Sequence, residues 1–391
     1  MADWQVRIVN DISDLDQAQW DALVGGESPF LEWDWLAGLE ATGCVGASLG
    51  WGPHHIAVER ENRLIAACPL YLKSNSEGEF IFDHEWAHAA SSAGLEYYPK
   101  LLVAVPFTPA NGIRFLTAEG ENRRELIQVM GRMLIQICDQ NNLSSVHVNF
   151  CREDEVEALG ELGFLERLGL QYHWENHGYG DFEDFLSGFR SKRRTKIRRE
   201  RREMKDQEIV IRALTGDDIE PALAPVMYRL YQEHVDKLYW GRRYLNEAFF
   251  QRITERFSRN LCFVVAEKDG EIIAGTFNVQ KGGVFYGRYW GAFREVRHLH
   301  FNVCYYAAIE HCIEHGLRRM EPGAGGDFKR MRGFEPRPTR SMHYLAHPGL
   351  RQAVGDFLGH ERERMEMMID HLQETGPLRG AGKPEGGAAG D

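Results

Sequence analysis

An internal repeat constrains this 391-residue chain more than any other feature. The segment VERENRLIAACPLYLK, from Val58, aligns without gaps on AEKDGEIIAGTFNVQK, from Ala266. Glu59 meets Glu267, Ile65 and Ala66 meet Ile273 and Ala274, and Lys73 meets Lys281. Further on, LIQICDQNNLSSVH from Leu134 aligns on AIEHCIEHGLRRME from Ala308, placing Cys138 on Cys312 and Leu143 on Leu317. A Gly-Phe pair follows each, Gly163-Phe164 and Gly333-Phe334. The register slips between the blocks, so the first copy carries about 34 extra residues there. A repeat of this period means two copies of one supersecondary plan.

Hydrophobic patterning gives that plan its elements. In the first copy, residues 55–58 and 64–72 read as strands joined by a turn at 61–63, and 101–107 as a third strand. Leu126, Val129, Met130, Met133, Leu134 and Ile137 make one apolar helix face, and residues 146–150 the next strand. In the second copy, strands at 261–266 and 272–279 flank Asp269-Gly270, a strong hairpin turn, with another strand at 284–289. A helix through Tyr305, Ala308, Ile309, Cys312 and Ile313 is closed by Gly316, and Met320 opens a strand. Hairpin, strand, helix, strand in each half is an α+β plan, a mostly antiparallel sheet with a helix packed on it. The expected domains are 1–175 and 176–375, joined near His177 to Gly180, with 360–372 a charged helix. Residues 376–391, rich in Gly, Ala and Pro, are expected to be a disordered tail.

Net charge of −12 argues against a surface that coats nucleic acid. No apolar run is long enough to span a bilayer, and the N-terminus lacks the pattern of a signal peptide. Seven cysteines, scattered singly, fit free thiols in a reducing cytoplasm. Against this acidic background one basic segment stands out. Residues 190–202 hold nine Lys and Arg against a single Glu, within a helix expected over 182–204 whose apolar side is Phe182, Phe185, Leu186, Phe189 and Ile197. Like charges four apart, Arg194 with Arg198 and Arg198 with Arg202, repel. Two readings follow: a solvated face neutralised by nearby carboxylates, or a site where Arg193, Arg194 and Arg198 meet phosphate on a tRNA, a nucleotide-linked precursor or an anionic membrane surface. No base-reading motif accompanies it, so sequence-specific DNA binding is not expected.

Residues 321–329, EPGAGGDFK, follow a strand in the second half. Gly323 and Gly325 let a ligand approach the backbone and offer N–H donors to an oxyanion. Glu321 is placed to take a proton from an attacking amine, and Lys329 and Arg332 to stabilise negative charge. The alternative is a tight turn with Glu321 in a salt bridge. Strand alternation expects Tyr286, Arg288 and Trp290 on one face lining the same cleft, unless they are core aromatics. Tyr239 and Trp240 are lid candidates. Phe107, Thr108, Asn111 and Arg114 form a further contact region in the first half. His84-Glu85-Trp86-Ala87-His88 matches H-E-x-x-H, which on a helix could hold zinc, with Asp83 as N-cap; Trp86, Ala89, Ala90 and Ala93 make an equally good packing stripe.

Three segments, YYPKLLVAVPFTPANGIRFL from Tyr97, SKRRTKIRRERR from Ser191 and EPGAGGDFKRMRGFEPRPTRSMHYLAH from Glu321, resemble the bacterial FemAB-like family of peptidoglycan biosynthesis or recognition proteins. The duplicated plan likewise resembles tandem GNAT-fold proteins. The resemblance implies two GNAT-like domains and transfer of an acyl or aminoacyl group to an amine, with acyl-CoA or aminoacyl-tRNA as donor. One departure bears on the donor: FREVRHLHFNVCY, from Phe293, has no glycine where a CoA pyrophosphate loop needs them, and the first half supplies only Gly112 and Arg114. A module that binds an anionic ligand without catalysis is the competing class, and a zinc hydrolase through His84 and His88 a minor one.

Overall fold

The computed structural model describes residues 4–238 and 241–378. They form two compact units, each drawing on segments distant in sequence. Of the described residues, unit 1 comprises 4–169, 244–257 and 339–363, and unit 2 comprises 170–238, 241–243, 258–338 and 364–378.

The repeat is visible in backbone detail. In unit 1, His55–Arg60 pairs with Arg63–Cys68, and in unit 2, Leu261–Lys268 pairs with Glu271–Lys281. Both hairpins turn through two left-handed residues, Glu61-Asn62 and Asp269-Gly270, the backbone that matches strand twist. Both carry a register shift at the same aligned step, Val58/Glu59 and Ala266/Glu267. The helices that follow, Arg123–Gln140 and Ala307–Glu314, end on left-handed residues, Asn142 and Gly316. Leu143 N–H and Leu317 N–H then bond back to the Cys138 and Cys312 carbonyls, at 2.9 and 2.8 Å.

Burial explains why these helices dock. Leu126, Ile127, Met130, Leu134 and Cys138 bury one stripe against Ile56, Val58, Leu101, Val103, Val146 and Val148. In unit 2, Ile309, Cys312 and Ile313 do the same against Cys262, Val264, Ala274 and Phe285. Each such aliphatic or aromatic side chain contributes about 1.5–3 kcal/mol. On the opposite face of unit 2 the helix Leu223–Val235 crosses two strand glycines. A Cβ on Gly291 would stand 1.9 Å from the Leu230 carbonyl oxygen, so only glycine admits the crossing.

In each unit the antiparallel strands lead to a parallel pair. Lys100–Val103 lies beside Ser145–Val148 in unit 1, and Val284–Ala292 beside Arg319–Glu321 in unit 2. The next strand in each repeat is exchanged. The C-terminal part of Leu165–Glu175, from the first repeat, pairs with Arg319–Glu321 in unit 2. The C-terminal part of Glu335–Leu345, from the second, pairs with Ser145–Val148 in unit 1.

Several local expectations are corrected. The strand expected to reach Phe107 stops at Val103, because residues 104–109 turn through Pro106 and a left-handed Phe107. The stretch 64–72 is two strands broken at Pro69, which offers no ladder N–H. The basic helix is not continuous over 182–204: Phe182–Ser187 ends at Gly188, and Ser191–Asp206 starts afresh. The helix through Tyr305 opens with a π-helical turn, Asn302–Tyr306. The terminal helix is longer than expected, Pro348–Glu374. The tail lies outside the described residues beyond 378.

Candidate active site

The parallel pair in unit 2 sets Tyr286 directly beside Glu321. Immediately afterwards the strands part. Residues 322–326 cross over Gly287, whose missing Cβ leaves 3.2 Å to Pro322 Cα, and a Cβ on Gly323 would meet the Gly287 carbonyl at 3.3 Å. Gly323, Gly325 and Gly326 all have left-handed φ, as the expected close approach requires. Lys329 Nζ donates to the Gly323 and Ala324 carbonyls, at 2.7 and 3.1 Å, and so ties this loop down. Burial lowers its pKa to about 8. Glu321 is 4% exposed. Arg319 Nη1 stands 3.4 Å from its Oε1, and His173 Nε2 stands 3.9 Å from Oε2. His173 belongs to the exchanged strand. Burial first, then Arg319, Arg337 and Lys329, lower its pKa to about 3, so it is a neutral neighbour.

The expectation that Tyr286, Arg288 and Trp290 share a face is overturned. Phe277 pairs with Tyr289 and Asn278 with Gly287, leaving Arg288 as the extra residue of a β-bulge. The bulge reverses alternation, so Tyr286 falls on the face of Val279 and Phe277, and Trp290 on that of Thr276 and Ala274. Trp290 instead lines a cavity of about 520 Å³ with His234, Lys237, Arg294, Arg297 and His300. The His300 ring packs on Trp290 at 5.1 Å and on Phe328, beside Lys329, at 5.9 Å. Burial, then Arg332, lower the His300 pKa to about 4.

The basic residues are largely absorbed by their own unit. Arg198 bonds Glu183 at 2.6 Å, Arg201 bonds Glu310 at 2.7 Å, and Arg199 lies 3.7 Å from Glu203. Arg193 Nε donates to the Met331 carbonyl at 2.5 Å. Arg194 reaches the Ser187 and Phe189 carbonyls only at 3.4 and 3.5 Å. Arg332 stacks 3.3 Å over Phe301 and bonds the Phe328 carbonyl. Of the nine basic residues in 190–202, Lys196, Arg198, Arg199 and Arg201 lie within 4.0 Å of a carboxylate among the described residues, whereas Arg193 and Arg194 reach backbone carbonyls instead.

In unit 1, Arg114 is buried and donates to the Ala110, Ile113 and Asn149 carbonyls, at 2.6, 2.9 and 2.7 Å, knitting its loop together. Phe107 stacks on Tyr244 at 4.7 Å, Thr108 Oγ1 bonds the Pro106 carbonyl, and Asn111 is half-buried. Tyr239 and Trp240 lie outside the described residues. His84 and His88 are exposed on the helix His84–Ser92, while Trp86 and Ala90 are buried. Among the described residues no group of three or more His, Cys, Asp or Glu could hold a metal ion. Asp83 stands at the N-cap position but makes no capping bond. Its carboxylate is taken by Lys100, Tyr97 and Ser76.

His173 was not singled out from sequence, yet a signal existed. It aligns with His343 in the exchanged strands, where LERLGLQYHWE and EPRPTRSMHYL both place an aromatic after the histidine. In unit 1, His343 pairs across strands with His147, the aligned counterpart of Glu321. Both units therefore carry a cross-strand pair of titratable residues on the same two strands.

This architecture defines two tandem GNAT-like units, α+β, each a mixed sheet flanked by helices. The chain belongs to the FemAB-like family described as peptidoglycan biosynthesis/recognition, matched over residues 11–380. Similar solved structures include FemX, at 13% identity and TM-score 0.53, covering 87% of this chain and 98% of that one. L-PGS from Bacillus licheniformis is 10% identical with TM-score 0.54, covering 90% and 98%. The C-terminal domain of a protein designated lysylphosphatidylglycerol synthetase from Agrobacterium fabrum is 9% identical with TM-score 0.56, covering 89% and 97%. At these identities the likeness concerns the fold. No curated protein sequence matches the chain significantly.

Proposed function

We propose that the chain transfers an acyl or aminoacyl group to an amine, in cell-wall or lipid-linked metabolism, with the reaction centred on Glu321 in unit 2. The observation that carries this is a buried carboxylate beside Tyr286, at the point where a parallel strand pair parts. Membership of a peptidoglycan-related family and the likeness in fold to FemX and to a protein designated lysylphosphatidylglycerol synthetase support the substrate class. Glu321 accepts the proton of the attacking amine. The backbone N–H groups of the glycine loop, held by Lys329, face the oxyanion that forms on the acyl carbon, and Tyr286 orients the acceptor. The cavity lined by Trp290, His300 and Arg297, on the other face of the strand from Tyr286, takes the body of the donor, whose acyl end reaches Glu321 through the opening where the strands part.

The donor in this reading is not acyl-CoA. The loop after Val284–Ala292 enters the helix that starts at Leu299 through a left-handed His298, with no glycine to let a pyrophosphate approach the backbone. His298 lies 4.0 Å from Glu200 and 3.5 Å from Glu203, so carboxylates crowd the place a pyrophosphate would take. An aminoacyl ester on tRNA, whose phosphates Arg193, Arg194 and Arg297 contact, fits better. No helix among the described residues is long and apolar enough to cross a membrane, so contact with a lipid acceptor would be peripheral. The test offers the purified full chain labelled aminoacyl-tRNA or acyl-CoA with nucleotide-linked muropeptide precursors or anionic phospholipid. Transfer from aminoacyl-tRNA is expected, with Glu321→Gln lowering it by about 10²–10⁴-fold at unchanged melting temperature. Saturable tRNA binding with no transfer from either donor would instead establish the binding module.

A further inference from the structure

Strands Leu70–Lys73 and Lys100–Val103 turn Leu70, Leu101 and Val103 into the apolar core of unit 1, and their other face is buried too. On that face Lys73 and Lys100 stand directly opposite each other on adjacent antiparallel strands, both 0% exposed. Like charges so placed destabilise a sheet, so the pair requires an anion. The chain supplies it from residues 74–83, within the insertion that has no counterpart in the second repeat. Glu79 Oε2 lies 2.9 Å from Lys100 Nζ, Asp83 bonds the same ammonium, and Glu79 lies 3.8 Å from Lys73 Nζ. Lys73 is the less well matched: its remaining contacts are the Glu77 carbonyl at 3.2 Å and the Trp51 ring at 3.8 Å. Burial, opposed by Glu79, lowers its pKa to about 7.

The segment is held chiefly by polar contacts. Glu79, Asp83 and Ser76 are buried in the ion-pair cluster, whereas Ser74, Glu77 and Phe82 are exposed, Phe82 at 62%. Phe80 between the two carboxylates has φ +60°, a strained conformation for a bulky residue. The helix that follows is anchored differently, by Trp86 and Ala90 in an apolar cluster. A short strained loop with few apolar contacts, next to a well-anchored helix, is the kind of element that opens locally. Gly78 sits against the Phe107 ring, where a Cβ would come within 2.6 Å, so opening uncovers Phe107 as well as the lysines.

We propose that residues 74–83 form an acidic latch over an anion site made by Lys73 and Lys100, and that opening it admits a diphosphate-bearing ligand beside Phe107. In the closed state the two carboxylates stand where the diphosphate oxygens would lie. The site is separate from the Glu321 reading of unit 2 and does not depend on it.

The test uses inorganic pyrophosphate, with chloride at matched ionic strength as control, on the full chain. Glu79→Gln keeps the side-chain shape and removes one competing charge. It is expected to bind pyrophosphate at least tenfold more tightly than wild type, and adding Lys100→Met or Lys73→Met should abolish that gain. Hydrogen exchange on the wild type is the independent arm: saturating pyrophosphate should speed exchange of the 74–83 amides while slowing that of the 100–103 strand. Binding that Glu79→Gln does not strengthen, or that survives both lysine substitutions, overturns the proposal. So does an exchange pattern in the wild type that pyrophosphate leaves unchanged.

Discussion

Replacing Lys100 with Met removes the ammonium that organises the buried cluster of unit 1 while keeping most of the side-chain volume. It leaves the Glu79 carboxylate, 1% exposed, with Lys73 at 3.8 Å as its cation, and the Asp83 carboxylate, 2% exposed, with the neutral donors Ser76 and Tyr97 in place of an ammonium. Breaking a buried pair from one side costs about 3–5 kcal/mol, because the surviving charge has lost both water and partner. The loss should depend on pH in a definite direction. In the wild type, burial acts against Asp83, but Lys100 and the hydrogen bonds to it hold its pKa below the usual carboxylate value; Glu79 is raised to about 7 by burial, with Lys100 the largest opposing influence. Without Lys100, Glu79, already above its unfolded value, rises further, and Asp83 loses the largest influence holding it down. The variant's native state then binds more protons than its unfolded state, and its deficit shrinks as pH falls, by about 1.4 kcal/mol per unit for each group while it titrates. A deficit of about 3–5 kcal/mol at pH 8 should therefore fall by about 2 kcal/mol or more by pH 5.5. Two units need not unfold together, so the measurement is hydrogen exchange of the Leu70–Lys73 and Lys100–Val103 amides, which reports unit 1 alone. A deficit under about 1 kcal/mol, or one equal at both pH values, would show that the cluster is not the charge-balanced network described.

Three further outcomes follow from unit 2. His173, His300 and His311 are kept neutral with folded pKa values of about 3, 4 and 4, against about 6.5 unfolded, so their contribution is complete above pH 6.5 and lost as pH falls toward 4. His173→Gln should reduce the pH slope of unit 2 stability over that window by about 1.4 kcal/mol per unit, read from urea melts; an unchanged slope would mean the histidine is not buried neutral. Gly291→Ala should destabilise unit 2 by about 3 kcal/mol, since the new Cβ meets the Leu230 backbone, and a melting temperature within a degree of wild type would contradict that helix crossing. Arg198→Ala, which removes an exposed pair with Glu183, should change stability by no more than about 1 kcal/mol; a larger loss would give the basic helix a structural role the geometry does not show.

Much of the fold was legible because its signals are local. Asp269-Gly270 announces a hairpin, and the spacing of Leu126, Met130 and Leu134 announces a helix face, without reference to distant residues. What escaped depends on partners far away in sequence. Nothing in the run Tyr286-Gly287-Arg288-Tyr289-Trp290 shows that Arg288 is extra to its ladder, because a bulge is defined by the strand opposite. Asp83 looked like an N-cap until Lys100, Tyr97 and Ser76 claimed its carboxylate. Gly188 was the readable hint that the basic helix is two helices. In the candidate site, Glu321 and the glycines were visible as a polar run at a strand end, whereas His173 sits on a strand whose destination no periodicity reveals.

The exchanged strands also set a clock for synthesis. His147 is made early, but its cross-strand partner His343 emerges only after nearly two hundred more residues have been translated. At about 5–20 residues per second, the nascent first sheet waits on the order of ten to forty seconds for the strand that closes its edge. During that interval its unpaired backbone is exposed to neighbours on the same ribosome track, so slowing translation between the two repeats should favour aggregation over yield.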